Sequence, residues 1–207
     1  MTAFDLSTFE PPLVVPELHS GPVVLRPFEL SDLQLIRQAS TDPYVPAITS
    51  IPSTYSDDEG RAFIDRQRSR AIDGHGYPFV IADAATPSRG VGGLGLWLQE
   101  VDNGRASIGY WLVPSARGKK WAGWALRGVV AFAFDVLAIP RLHLFIEPWN
   151  VASQRTAEFA GFTKEALLRG WERIDHVQHD VFSYVLLRQS GHPHAIVDQD
   201  GVIERAG

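Results

Sequence analysis

Arg117-Gly118-Lys119-Lys120 is a run of three cations and a glycine set between an apolar stretch, Ile108–Val113, and a helical pattern. From Ala122 onward apolar side chains fall at Leu126, Val129, Ala133, Val136 and Leu137, the spacing of one buried helical face. The run therefore sits at a helix N-terminus, where unpaired backbone N–H groups and the positive end of the dipole favour an anion. That is the chemistry of a phosphate-binding turn; a solvated basic turn ahead of a core helix fits the local pattern equally well. A second cluster, Asn150-x-x-Ser153, sets a natural N-cap one helical turn before a hydroxyl, and on pattern alone it reads as a cap and a surface serine. His192 and His194 have no acid or cysteine beside them and read as solvent-exposed, so no metal site is expected. His143 alternates with Leu142 and Leu144 and reads as the other face of a strand.

The elements that must hold these residues follow from periodicity and punctuation. Residues 1–20 carry several prolines and little period and read as a loose arm. Residues 21–189 read as one domain without repeat or linker, and 190–207 as a tail or a small hairpin about Asp200-Gly201. Val23–Arg26 is a short strand stopped by Pro27. Ser31-x-x-Gln34 starts a helix to about Ala39, and Ser56-x-x-Glu59 a second to about Asp73, each by a capping box. Between them the proline-bearing segment 41–55 reads as an ordered loop. Phe79–Ala82 and Gly92–Leu98 are strands joined by a turn over Ala85–Arg89, and Asp102-Asn103-Gly104 turns a hairpin into Ala106–Val113. The central helix ends near Leu137, ahead of Pro140. Leu142–Ile146 is a strand, Val151–Ala160 a helix closed by Gly161, and Phe162–Trp171 and Val181–Leu187 are two last strands. Gly90-Val-Gly-Gly-Leu-Gly95 satisfies G-x-G-x-x-G in letters, but strand residues and a hairpin follow where a dinucleotide site needs a helix and then an acid. Close backbone approach within a strand explains those glycines better.

Composition bounds the function. A chain of 207 residues, 45% hydrophobic and 21% charged, suits one globular domain with a sizeable core. No apolar run reaches membrane-spanning length and the N-terminus lacks a signal-peptide pattern, so no membrane partner is expected and a cytoplasmic location is the default. The absence of cysteine excludes disulfides, thiolate metal sites and a cysteine nucleophile. A net charge of −5 argues against a nucleic-acid surface and suits cationic substrates. Oligomeric state stays open, a homodimer included.

In order and spacing, the strand, basic turn and helix, then Asn150-x-x-Ser153 and Gly161-Phe162, resemble the coenzyme motifs of the GNAT acyltransferase superfamily. The Rim-type ribosomal-protein N-terminal acetyltransferases are the most similar branch, and the likeness runs from about Val23 to Leu187. It implies an α/β (α+β) GNAT fold: a mixed, mostly antiparallel central sheet, splayed in the middle, with helices on both faces. It also implies acetyl-CoA as co-substrate and no metal. Trp111, Leu112 and Val113 would lie beside the pantetheine, Arg117, Gly118, Lys119, Lys120, Trp121 and Ala122 around the pyrophosphate, and Asn150 and Ser153 near the sulfur. Arg117 and Ala122 fit their motif positions. Lys120 stands where the family usually has glycine, the residue that lets backbone approach phosphate and take a positive φ. The tyrosine acid common in the superfamily would fall at Ala157, so Ser153 becomes the donor to the departing thiolate. Glu172 matches the Rim-type general base.

An attacking α-amine, with a pKa of about 7.7–8.0, is mostly protonated at neutral pH, so a carboxylate within reach has a proton to remove. The resemblance then implies N-acetylation of a protein N-terminal α-amine or a small primary amine by direct attack on the thioester. A backbone N–H near Leu112 or Val113 would hold the carbonyl oxygen. His179 follows the base and could orient substrate. Trp97, Trp171 and Tyr44 are candidate walls of an acceptor pocket, although aromatics of this size are usually core. Two other classes stay open: an aminoglycoside- or antibiotic-type N-acetyltransferase, and a non-catalytic acyl-CoA-sensing domain motivated by Lys120.

Overall fold

The computed structural model describes residues 4–189, with the backbone of 196–197 and 203–204. The apolar, β-branched runs of the sequence become β1 (Leu18–Ser20), β2 (Val23–Arg26), β3 (Gly76–Asp83), β4 (Thr86–Trp97), β5 (Arg105–Leu112), β6 (Arg141–Ile146), β7 (Thr163–Ile174) and β8 (Val177–Leu187). They form one sheet in the order β1-β2-β3-β4-β5-β6-β8-β7, antiparallel except where β5 meets β6. The helices are α1 (Leu33–Ser40), α2 (Val45–Ile48), α3 (Asp57–Ile72), α4 (Trp121–Ala131) and α5 (Val151–Phe159). Leu25 pairs with Ile81 and shares its face, and a Cβ on Gly128 of α4 would lie 3.6 Å from Leu25. Leu35 of α1 instead comes up beside Val80, whose side chain points the other way. Helices thus cover both faces, the arrangement the resemblance implies.

The parallel pair decides where a ligand can enter. β5 and β6 pair only at Arg105↔Arg141, Ala106↔Leu142 and Ser107↔His143. Beyond these, β5 runs on to Leu112 and β6 to Ile146 without pairing, and a wedge opens between their C-terminal ends. Pro114 follows β5, where a residue without N–H cannot extend a ladder. On the β4 side, a Cβ on Gly93 would come within 2.8 Å of the Trp111 indole, and one on Gly95 within 2.1 Å of the Trp97 indole. The glycines of the false dinucleotide motif therefore make room for two indoles lying across the sheet.

Several local expectations are revised. Where described, the arm over residues 1–20 is not loose: Phe9, Leu13 and Leu18 are buried, Leu13 N–H donates to Ala71 O (2.9 Å), and β1 joins the sheet. Anchors so widely spaced leave no period to detect. The first capping box is formed by Glu29 and Asp32, not Ser31 and Gln34, and a 3₁₀ turn, Leu30–Asp32, precedes α1. Asp32 is drawn there by a buried bidentate pair with Arg26 (2.7 and 2.8 Å). At the second, Ser56 is the N-cap as expected, with Glu59 N–H on Ser56 Oγ, while the return bond from the Glu59 side chain does not form. The proline-bearing segment holds the short helix α2, and β4 starts at Thr86, leaving Ala84 and Ala85 as the turn. The central helix passes into a π turn over Phe132–Val136, which shifts the residues round the axis and leaves Val136 exposed. His192, His194 and Asp200-Gly201 lie outside the described residues; Ile196–Val197 and Ile203–Glu204 pair antiparallel.

Candidate active site

The basic turn begins with a 3₁₀ turn, Pro114–Ala116, that swings the chain off the end of β5. Gly118 (φ 78°) and Lys120 (φ 61°) both take left-handed backbone, and a Cβ on Gly118 would meet nothing within 4 Å. Lys120, the N-cap of α4, thus holds the conformation that a glycine in its place would adopt freely, at a backbone cost of about 1 kcal/mol. The departure from the motif changes the side chain and keeps the path. Lys119 and Lys120 set their ammonium groups over the rings of Trp121 (4.8 Å) and Phe159 (5.8 Å). The first-turn N–H groups of α4 emerge between them. Ala122 is buried.

Arg117 is used differently. Its guanidinium donates to Leu112 O (3.1 and 3.2 Å) and to the buried carboxylate of Asp42 (2.5 Å). Backbone N–H groups of Tyr44 and Val45 also bond Asp42 (2.9 and 3.0 Å). Burial works against the Asp42 anion, but these three donors together hold its pKa below the ordinary carboxylate value. At the strand end, Val113 N–H is donated to Val91 O (3.1 Å) and belongs to the β4 ladder. Antiparallel alternation turns Leu112 away from β4, so its N–H and C=O face the wedge. Arg117 takes that carbonyl, and of the two expected donors Leu112 N–H is the one facing the gap.

Across the wedge, at the end of β6, stands Glu147, which sequence reasoning missed. It is 5% exposed. One oxygen accepts from the Tyr44 hydroxyl; the other is 2.6 Å from His179 Nδ1. Burial opposes the charge, yet hydrogen bonds from Tyr44, Trp149 and His179 outweigh it and lower the Glu147 pKa. Burial first, and then Glu147, push the Tyr44 phenol far up. Asp42 and Tyr44, two residues apart, thereby staple the basic turn to the end of β6. The signal for Glu147 was present only as an acid closing an apolar strand, which is also what an exposed strand end looks like.

His179 pairs across the β7–β8 hairpin with Glu172. A bulge between Leu168 and Glu172 sets this register, with Gly170 (φ 56°) donating its N–H to Asp180 (2.8 Å). Glu172 is exposed, and its charge contributes to raising the Tyr44 pKa, so it belongs to the same cluster. With Nδ1 against the Glu147 carboxylate, the His179 ring is held in place and Nε2 is its remaining polar atom. On the α5 side, Asn150 Oδ1 caps Ser153 N–H (3.1 Å). Tyr110, which reaches over from β5, brings its hydroxyl beside Ser153 and Thr156 without settling into regular geometry with either. Burial raises its phenol pKa. It stands on the wedge side where the helix itself supplies only Ala157. Trp111 is buried and Trp121 half-buried.

A splayed parallel pair, a left-handed turn at a helix start and an Asn-x-x-Ser helix now stand together. The model of the acetyltransferase (GNAT) domain matches residues 23–163. The chain belongs to the GNAT acetyltransferase family. As such it is an acyltransferase. The N-acetyltransferase p20 of Bacillus licheniformis, itself uncharacterised, is 28% identical over 172 residues, 83% of this chain and 96% of that protein. Among solved structures, Mycobacterium smegmatis RimJ, in complex with a CoA disulfide, is 22% identical with a TM-score of 0.71, covering 81% of this chain and 86% of RimJ. The microcin C7 self-immunity acetyltransferase MccE, in complex with acetyl-CoA and AMP, is 20% identical with a TM-score of 0.71, covering 81% and 93%. The expected likeness to Rim-type proteins is thus met in the fold. No helix of the described acetyltransferase residues is long and apolar enough to cross a membrane, and no group of three or more His, Cys, Asp or Glu among them could hold a metal.

Proposed function

We propose that this GNAT protein transfers the acetyl group of acetyl-CoA to a primary amine, a protein N-terminal α-amine or a small amine, by direct attack on the thioester. One observation carries the reading: the β5–β6 wedge opens between an anion-binding turn on one side and an acid–imidazole cluster on the other. The residues fit the coenzyme. Gly118 has open space above it, the Lys120 backbone already has its left-handed form, and Leu112 N–H faces the gap. On the same fold, RimJ is in complex with a CoA disulfide and MccE with acetyl-CoA and AMP.

Bound acetyl-CoA supplies an activated thioester. Lys119, Lys120 and the α4 N-terminus hold the pyrophosphate, and Arg117 fixes the end of β5 beside the pantetheine. Glu172 removes the ammonium proton of the acceptor, directly or through one water. His179, its ring set by buried Glu147, faces Glu172 and gives that proton a route to solvent. Leu112 N–H donates to the carbonyl oxygen as charge develops there, an interaction typically worth about 10²–10³ in rate. Ser153 donates to the thiolate as it leaves. Because the chain has no cysteine, no thiol acyl-enzyme forms. The sensing alternative rested on Lys120, and a lysine that keeps the glycine path gives it little ground. Calorimetry with acetyl-CoA followed by turnover of peptides with free N-termini and of small amines tests the proposal. Binding without transfer to any amine refutes the catalytic reading, and no binding refutes all of it.

A further inference from the structure

Cross-strand pairing puts Trp97, Ser107 and His143 on one sheet face, and Phe145 with its partner Ser183 on the same face. There they line a cleft of about 350 Å³, on the closed side of the wedge, with Trp171 of β7 as its far wall. Arg141 Nε donates to His143 Nε2 (3.1 Å), so the imidazole carries its hydrogen on Nδ1. That N–H is buried and meets no acceptor. The buried Nε–H of Arg105, a neighbour in the cleft, meets none either, although its outer nitrogen donates to Glu100 (3.1 Å). His143 itself is only 9% exposed, and burial, with Arg141 and Arg105 beside it, keeps its pKa below the ordinary value. Two unsatisfied donors in one cleft are costly unless something brings an acceptor to them.

The walls are flat and apolar. Trp97 lies over Gly95, with the Arg70 guanidinium carbon 5.0 Å from its ring centroid. Phe145 lies nearly parallel to the His143 ring, centroids 6.0 Å apart, and Trp171 stands 5.8 Å beyond it. Phe145 and Trp171 are still 36% and 56% exposed, so these walls are reached from solvent. Glu100, at the rim of the cleft, is paired with Arg105 through one oxygen (3.1 Å).

We propose that this cleft is a recognition subsite for a flat apolar group bearing an acceptor oxygen, a carboxylate or an amide carbonyl, carried next to the amine to be acetylated. Its place beside that amine rests on the acetyl-transfer reading; binding of the group itself does not. An aromatic residue with its peptide carbonyl, or a small aromatic acid, has this chemistry.

Isothermal titration of the full chain with phenylacetate, phenylacetamide and phenyltrimethylammonium tests it. The acid and amide should bind at least about tenfold more tightly than the ammonium, which is as flat but offers no acceptor. Which of the two binds better tells carboxylate from carbonyl. His143→Leu and Trp171→Ala should each weaken that binding about tenfold while leaving CoA affinity unchanged. Trp171 is exposed, so its variant carries the test should the His143 substitution fail to fold. Equal or tighter binding of the ammonium, no binding of either oxygen-bearing probe, or probe binding indifferent to both substitutions overturns the proposal. Probe binding without CoA binding would instead sink the acetyl-transfer reading and leave the subsite standing.

Discussion

The two sides of the wedge are built in opposite ways. The basic turn is a local object: its left-handed residues, its 3₁₀ turn and the Arg117–Leu112 contact all fall within a few positions along the chain. The proton-handling corner is assembled from far apart, Tyr44 and Glu147 being separated by 103 positions and Glu147 and His179 by 32. Binding an anion needs only oriented N–H groups and loose positive charge, which a short segment supplies. Handling a proton needs an acid held in a chosen state, and that takes burial and partners that no single segment provides. Arg117–Asp42, 75 positions apart, ties one side to the other.

That contrast can be broken at its strongest point first. Glu172→Gln should lower kcat/KM by about 10²–10⁴ and flatten its acidic limb with acetyl-CoA affinity intact; an unchanged pH profile removes Glu172 from the mechanism. Glu147→Gln should cost about a hundredfold in kcat, with little change in the KM for acetyl-CoA, because it frees the His179 ring rather than touching coenzyme. A shift in KM without one in kcat would make Glu147 purely structural.

The same residue sets a pH dependence. Its folded pKa, like that of Asp42, is depressed, so the stability each contributes is full above the ordinary carboxylate value and is lost as pH falls through the folded one. Thermal melts should therefore hold steady from neutral pH down to the ordinary carboxylate range and decline below it. The acid-side decline should be shallower in Glu147→Gln and in Asp42→Asn.

The local side should respond more gently. Lys120→Gly should change CoA affinity by less than about tenfold and relieve about 1 kcal/mol of backbone strain, read as a small rise in Tm. A much larger gain in affinity would mean that the turn is not preformed. Ser153→Ala should cost only a few-fold in kcat, since a thiolate leaves readily without help; no loss at all would reduce Ser153 to a helix residue.

Most strands, the Ser56 helix cap, the hairpin at Asp102-Asn103-Gly104 and the long helix were legible because each depends on period and turn chemistry within a dozen residues. The basic turn at the start of α4 was legible for the same reason, down to the position where lysine takes a left-handed backbone. Where reading failed, a distant partner had intervened: Arg26 drew Asp32 into an earlier cap, and the sheet claimed Leu18–Ser20 from an aperiodic arm. Glu172 and His179 were found as residues, but their facing one another hangs on the bulge at Gly170. Glu147 looked like any acid ending a strand until Tyr44 and His179 closed over it. The sequence alone determined most of the segments that fold and where a run of cations meets a helix start, since backbone and charge act at short range. Only the tertiary structure decided which carboxylate is buried, which N–H is left facing the wedge and which imidazole is left with an unanswered donor, because burial belongs to the neighbours a residue acquires on folding.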